Sequence, residues 1–320
     1  MPPAAAKTRL QAFTAEQLDK AEFKARLLQR SRSSALALKL QVLLDRAHAS
    51  PGVIDGVYGA SNIQAIKNFQ IMNGLEPDGK IDKDIWEKLR QAGGDAPILK
   101  DYEITKDDVK GPFLESVPED YTEKAKLKRL GFTSAGEGLA EKFHMDEGFL
   151  AALNPGKAFD KAGEIIIVID TGGRMESQVQ RIEVDGRENV LRAYDGANRL
   201  LSAYPATIGS TDTPSPSGSA KVRTIAQDPA YYYNPNKLNF AEVETKEQLK
   251  IAPGPNNPVG AVWIDLDRET YGIHGTADPA DIGKETSHGC VRLTNWDVEE
   301  LAAVVKKGTP VDFMNVIAAR

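Results

Sequence analysis

The chain of 320 residues holds a single cysteine, Cys290, and it stands in the run Ser287-His288-Gly289-Cys290. A second histidine, His274, opens the run His274-Gly275-Thr276, so two of the four histidines flank the one thiol. A thiol at its ordinary pKa of about 8.5 is little ionised at neutral pH, and only the thiolate attacks well. An imidazole that takes the proton or steadies the anion activates it, which makes a Cys/His pair a candidate activated nucleophile. Gly289 lets the backbone turn tightly between His288 and Cys290, so that neighbouring N–H groups can converge on a developing oxyanion. The alternative for an arbitrary lone cysteine is a buried, inert thiol that packs as a small apolar group. One cysteine can make neither an intrachain disulfide nor a Cys-rich zinc site.

Around these residues the sequence reads as strand. From Arg181 onward, the runs "RIEVD", "VLRAYD" and "LLSAYPATIGS" alternate apolar and polar positions between Asp-Gly and Gly turns. "TDTPSPSG" is a Pro-rich turn, "PVGAVWIDLD" and "TYGIHGT" are further strands, and "NWDVEELAAVVKKGTPVDFM" predicts a closing helix and strand. Residues 174–320 are therefore expected to form a mostly β domain. In it Trp263 and Tyr271 are read as sheet packing.

The upstream half is helical. Residues 1–32 read as a charged helical lead-in. Leu36, Leu40, Leu43 and Leu44, then Ile63, Ile66 and Phe69, then Ile85, Trp86 and Leu89 mark three helices. Two Asp-Gly turns separate them, and Gly74 is a C-cap candidate. Residues 92–117, with Gly, Pro and mixed charge, read as a linker. Residues 118–169 then give two short helices, an Asn-Pro-Gly turn and the apolar strand from Ile165. His144 falls in that segment and is read as a packing or surface residue.

Composition narrows the function classes. An apolar share of 41% with 27% charged residues is that of a globular protein, and the net charge of −6 offers no basic field for nucleic acid. No run of about eighteen apolar residues predicts a membrane span. The N-terminus lacks the apolar core of a signal peptide.

Three resemblances follow from quoted residues. "HGTADPADIGKETSHGCVRLTN", with "YPATIGSTDTPSPSG" before it and "GTPV" after it, resembles the catalytic domain of the L,D-transpeptidases of YkuD type. "IDGVYGASNIQAIKNFQIMNGLEPDGKIDKDIWEKL" resembles the three-helix peptidoglycan-binding domain and covers residues 33–91. Residues 118–169 resemble a LysM module, although its opening turn is degenerate here as "SAGEG". The implied fold class is multidomain α+β: a small three-helix bundle, a LysM-like βααβ module and a mostly β catalytic domain.

The resemblance implies roles position by position. Cys290 is the expected nucleophile and His274 the general acid/base, while His288 lines the site and helps hold the thiolate. Gly289 and Cys290 supply oxyanion N–H groups, and Ser287 and Gly275 shape the loop. Arg292 matches a position where an arginine can pair a stem-peptide carboxylate, or else make a structural ion pair. The implied reaction uses no cofactor and no metal. It is acyl transfer from a peptidoglycan tetrapeptide stem, making 3→3 cross-links or joining the stem to a D-amino acid or a lipoprotein lysine. Hydrolysis by a carboxypeptidase or endopeptidase, and a non-catalytic wall-binding protein, are the rival readings. The substrate implies an exported protein, periplasmic or wall-associated.

Overall fold

A computed structural model describes residues 13–24, 28, 32–209, 215–236, 245–284 and 289–316. Ser287 and His288 lie outside these residues, as does most of the lead-in. The chain divides into two compact units, Met1–Val109 with Leu139–Gly172, and Lys110–Gly138 with Gly173–Arg320.

In the first unit, α1 (Ala15–Asp19) starts at a capping box between Thr14 and Gln17. It is followed by α2 (Ala35–Arg46), α3 (Ala60–Met72) and α4 (Lys83–Gly93). Ser34 and Asp82 cap α2 and α4 by accepting from Ala37 N and Ile85 N, satisfying donors that the first helical turn leaves orphaned. The two Asp-Gly turns are held in the same way, each by a buried glutamine from the preceding helix. Gln41 accepts from Gly56 N at 2.7 Å and donates to Asp55 Oδ1 at 2.9 Å. Gln70 accepts from Gly79 N at 2.9 Å and donates to Asp78 Oδ1 at 2.8 Å. Both glycines sit at positive φ, +72° and +71°, where a side chain is strained.

The segment read as a linker contains a strand, β1 (Leu99–Glu103). After it come α5 (Tyr121–Lys126), α6 (Ala135–Lys142), α7 (Glu147–Leu153) and β2 (Ile165–Ile169). β1 pairs antiparallel with β2, Leu99 opposite Ile169 and Glu103 opposite Ile165. Three of the five β1 residues are charged, because much of a two-stranded ribbon faces water, and this made the segment resemble a linker. The segments read as two modules, 33–91 and 118–169, do not have separate cores. Leu40, Leu44, Ile66 and Phe69 belong to one apolar cluster with Leu139, Phe149, Ile166 and Val168. His144 Nδ1 meets the Asp45 carboxylate at 3.0 and 3.1 Å, and Arg46 donates to the carbonyls of Ala96, Pro97 and Asp170. His144 therefore has a packing role.

The second unit is built on an eight-stranded sheet. Its strands are β3 (Arg181–Asp185), β4 (Val190–Tyr194), β5 (Leu200–Pro205) and β6 (Gly218–Gln227). β7 (Tyr231–Tyr233) and β8 (Leu249–Ile251) form a separate antiparallel pair. β9 (Val262–Leu266), β10 (Gly272–His274), β11 (Val291–Arg292) and, after α8 (Asn295–Val304), β12 (Pro310–Met314) complete the sheet. The spatial order is β11-β10-β9-β6-β12-β3-β4-β5, parallel only at β10/β11 and β12/β3. Ile182, Val184, Val222, Ile264, Ile273, Val291 and the α8 residues Val298 and Leu301 fill one core. β6, with Lys221 and Arg223 among its exposed positions, is a strand that the apolar pattern did not mark. Residues Lys110–Gly138, α5 included, group with this unit, so the stretch 118–138 read as part of the LysM-like module belongs instead with the sheet.

Candidate active site

Strand alternation brings the chemistry-bearing residues to one side of the sheet. On β10, Ile273 is fully buried in the core, so His274 must face the other way. Trp263 is its direct partner on β9, and the two rings stack at 5.4 Å between centroids and 22° between planes. Gly272 makes this possible, since a Cβ there would lie 2.5 Å from the Trp263 indole. On β11, Val291 enters the core while Arg292 pairs in register with His274. Cys290, one residue before the strand, falls on the same side as Arg292. Gly289, at φ +106°, carries the chain into that position.

His274, Cys290, Arg292 and Trp263 line one cavity of about 370 Å³. Tyr121, Tyr231 and Val259 are among the residues that enclose it. His274 is 4% exposed, and its Nδ1 lies 2.7 Å from Gly275 O. A carbonyl only accepts, so Nδ1 carries the hydrogen and Nε2 keeps its lone pair. Burial, aided by the positive charge of Arg292, pushes the imidazole pKa down to about 3. Cys290 is partly open to solvent, yet its sulfur is desolvated by the surrounding protein, which pushes the thiol up to about 11. The Gly272 N–H and Arg292 oppose that rise without cancelling it. The resting pair is thus a neutral thiol and a neutral imidazole.

The loops around the pair are tightly fixed. A Cβ on Gly275 would lie 2.1 Å from Asn295 Oδ1, which accepts from Ala261 N at 3.0 Å. Ser215 Oγ donates to Gly289 O at 2.7 Å and accepts from Gly209 N at 3.0 Å, tying the Pro-rich turn to the thiol loop. Thr207 and Arg292 exchange two backbone hydrogen bonds of 2.9 Å. Among the described residues, no group of three or more His, Cys, Asp or Glu is placed to hold a metal ion.

The profile of the YkuD L,D-transpeptidase catalytic domain matches residues 179–313, and that of the "Putative peptidoglycan binding domain" matches residues 33–89. "Putative L,D-transpeptidase YkuD" of Bacillus licheniformis is 34% identical over 178 residues, covering 55% of this chain and 90% of that protein. The chain belongs to the YkuD family of L,D-transpeptidases. The protein of the same name in Bacillus subtilis is 36% identical over 114 residues, covering 36% of this chain, but the match spans only 54% of its length. "Probable L,D-transpeptidase YbiS" of Escherichia coli is 27% identical over 191 residues, 58% of this chain and 61% of that one. Among solved structures, an L,D-transpeptidase of Xylanimonas cellulosilytica aligns over 89% of this chain and 96% of its own at 17% identity and a TM-score of 0.38. The family assignment rests on the sequence matches alone.

Of the residues expected from sequence in this family member, Cys290, His274 and Arg292 line the shared cavity, and Gly275 and Gly289 shape its loops. Ser287 and His288 fall outside the described residues. Trp263, read as sheet packing, stacks on its cross-strand partner His274 and also borders the cavity. Strand alternation was its one signal, since Val262, Ile264 and Leu266 are the core-facing residues of β9. Ser215 and Tyr121 had no local signal at all.

Proposed function

We propose that the protein is a cysteine-dependent L,D-transpeptidase acting on peptidoglycan tetrapeptide stems. The observation that carries the proposal is one cavity lined by both Cys290 and an imidazole whose tautomer is fixed by Gly275 O. As Cys290 Sγ attacks the carbonyl at the L-centre of the stem's third residue, Nε2 of His274 takes the thiol proton. The C–N bond to the terminal D-alanine breaks, and the imidazolium returns that proton to the leaving amine, giving a thioester and free D-alanine. An acceptor amine then attacks the thioester. Its proton passes through His274 to the departing sulfur, and a new amide bond replaces the C–S bond.

Burial favours the neutral thiol and the neutral imidazole, the forms from which attack starts. The N–H groups of Gly289 and Cys290 are the candidate oxyanion donors. The Arg292 guanidinium is the candidate partner for a substrate carboxylate. His288 is assigned a part in shaping the site beside the thiol. Acceptors of the right chemistry are a second stem, a D-amino acid or a lipoprotein lysine, with water giving hydrolysis on the same residues. A peptidoglycan substrate and a peptidoglycan-binding match support an extracytoplasmic, wall-associated location. Among the described residues, no helix is long and apolar enough to cross a membrane.

Incubation of the purified chain with a tetrapeptide stem and separation of the products by mass spectrometry tests the reading. A D-alanine-free acyl adduct on Cys290, absent in Cys290→Ser, together with cross-linked dimers, is expected. An adduct that survives in Cys290→Ser, or no adduct in the parent, overturns it.

A further inference from the structure

The segment Lys110–Gly138 lies upstream of the matched catalytic domain, which begins at residue 179, yet it is built into the same compact unit. Its attachment is specific. Leu130 is fully buried; its N–H donates to Pro253 O at 2.8 Å, and its carbonyl accepts from Asn256 N at 3.0 Å. Gly254 leaves no room for any side chain there, since a Cβ would lie 2.0 Å from Leu130 O. Asn256 Nδ2 donates to Gly131 O and to Glu137 Oε1 at 3.0 and 2.7 Å. Arg129 grips Asp228 with two bonds of 2.7 and 3.1 Å.

Anchored in this way, the segment places α5 against β8. The Tyr121 ring meets Tyr231 and Tyr233 edge-on, at 6.0 and 5.5 Å between centroids. Tyr121 also lines the cavity that holds Cys290 and His274. The aromatic wall opposite the sheet is therefore shared between the β7–β8 pair and a residue that the catalytic domain match does not contain.

Resting on the acyl-transfer reading above, we infer that Tyr121 is a specificity-determining residue of this chain. Its ring completes the apolar wall against which the methylene-rich, non-reacting part of the peptide acyl donor packs. Tyr231, Pro229 and Val259 continue that wall, whereas the polar groups that meet the reacting end, His274, Cys290 and Arg292, come from the sheet. The ring is held there by edge-to-face contacts with Tyr231 and Tyr233, and Lys124 Nζ lies over it, 5.3 Å from its centroid.

The test uses the full chain and the variants Tyr121→Ala, Tyr121→Phe and Tyr121→Trp, with two readouts. In steady-state turnover of a tetrapeptide stem, Tyr121→Ala is expected to raise KM roughly three- to tenfold, the size of one lost aromatic contact, with kcat within about twofold. Tyr121→Phe should match the parent. The second readout needs no substrate: the ratio of Cys290 labelling by a bulky aromatic maleimide to labelling by iodoacetamide. It should rise in Tyr121→Ala and fall in Tyr121→Trp, which adds bulk to the same wall without losing its apolar contacts. If the parent turns over no stem, the acyl-transfer reading fails while the labelling ratio still reports on the wall. An unchanged KM and an unchanged ratio in Tyr121→Ala overturn the inference, as does a Tyr121→Phe variant as impaired as Tyr121→Ala.

Discussion

Replacing His274 with asparagine should make the second unit less sensitive to acid. The side-chain amide can still donate to Gly275 O, but it has no proton to gain. In the parent, burial and the nearby Arg292 charge hold the imidazole pKa at about 3, against about 6.5 in an unfolded chain. The unfolded state therefore binds a proton at pH values where the folded state does not. The stability due to the neutral buried ring is complete above the unfolded pKa and is lost as pH falls from about 6.5 towards 3. Integrated between pH 6.5 and 4, that loss is about 3 kcal/mol from this one group.

Carboxylates add their own acid dependence, but they do so equally in parent and variant, so the difference between the two isolates His274. Urea unfolding followed by tryptophan fluorescence supplies the measurement, with Trp86→Phe as background to silence the first unit. Trp263 and Trp296 then report on the second unit alone. A parent that loses about 3 kcal/mol more than His274→Asn between pH 6.5 and 4 is expected. Parallel stability curves would refute the claim that His274 is folded in its neutral form.

Other expectations can be checked directly. Alkylation of Cys290 by iodoacetamide should climb about tenfold per pH unit from pH 7 to 10, without a plateau near neutrality, because the thiol is pushed up to about 11. A plateau below pH 8 would indicate a preformed thiolate. Gly275→Ala should impair both fold and turnover, since the new Cβ meets Asn295 Oδ1 at 2.1 Å and displaces the carbonyl that fixes the His274 tautomer; the thermal midpoint and the acylation rate read the two effects. Ser215→Ala, which removes the bond to Gly289 O, should slow acylation while leaving KM for the stem nearly unchanged. A slowed rate with a parallel rise in KM would place Ser215 in binding instead.

How much of this was legible in the sequence depended on how local the signal was. That Cys290 and His274 belong together was legible because two short runs contain the residue types and the turn glycines, and both residues do line one cavity. β3 and β9 were visible because their apolar positions alternate, and β4, β5 and β10 because short, largely apolar runs stand between turn residues. β6 went unmarked although Ala220 and Val222 alternate with exposed Lys221 and Arg223, because Val222 is the one large apolar residue of these four and the pattern is faint. β1 was mistaken for linker for a related reason, since Lys100, Asp101 and Glu103 hide a strand whose partner lies more than sixty residues on. Tyr121 and Ser215 act through contacts far away in sequence, Ser215 with Gly289 and Tyr121 with the β7–β8 pair, and no composition or periodicity carries such information. The common core under the bundle and the βααβ elements was hidden likewise. Each helix shows which of its faces is apolar, but not which neighbour covers that face.

The way the backbone is shared between the two units has a consequence for processing. The chain passes from one unit to the other after Val109, Gly138 and Gly172, so they are joined by three covalent strands of the same polypeptide. A protease that cuts one of these crossings divides the polypeptide into two chains, but each unit still holds its own two segments together by non-covalent contacts; after a cut between Gly172 and Gly173, residues 173–320 remain attached through the segment 110–138. Separating the second unit whole from the first would take three cuts. By the same logic, recombination at a single boundary cannot exchange one unit as a cassette, because any one breakpoint would also divide the segment that supplies Tyr121 from the sheet it serves or from the strand that precedes it.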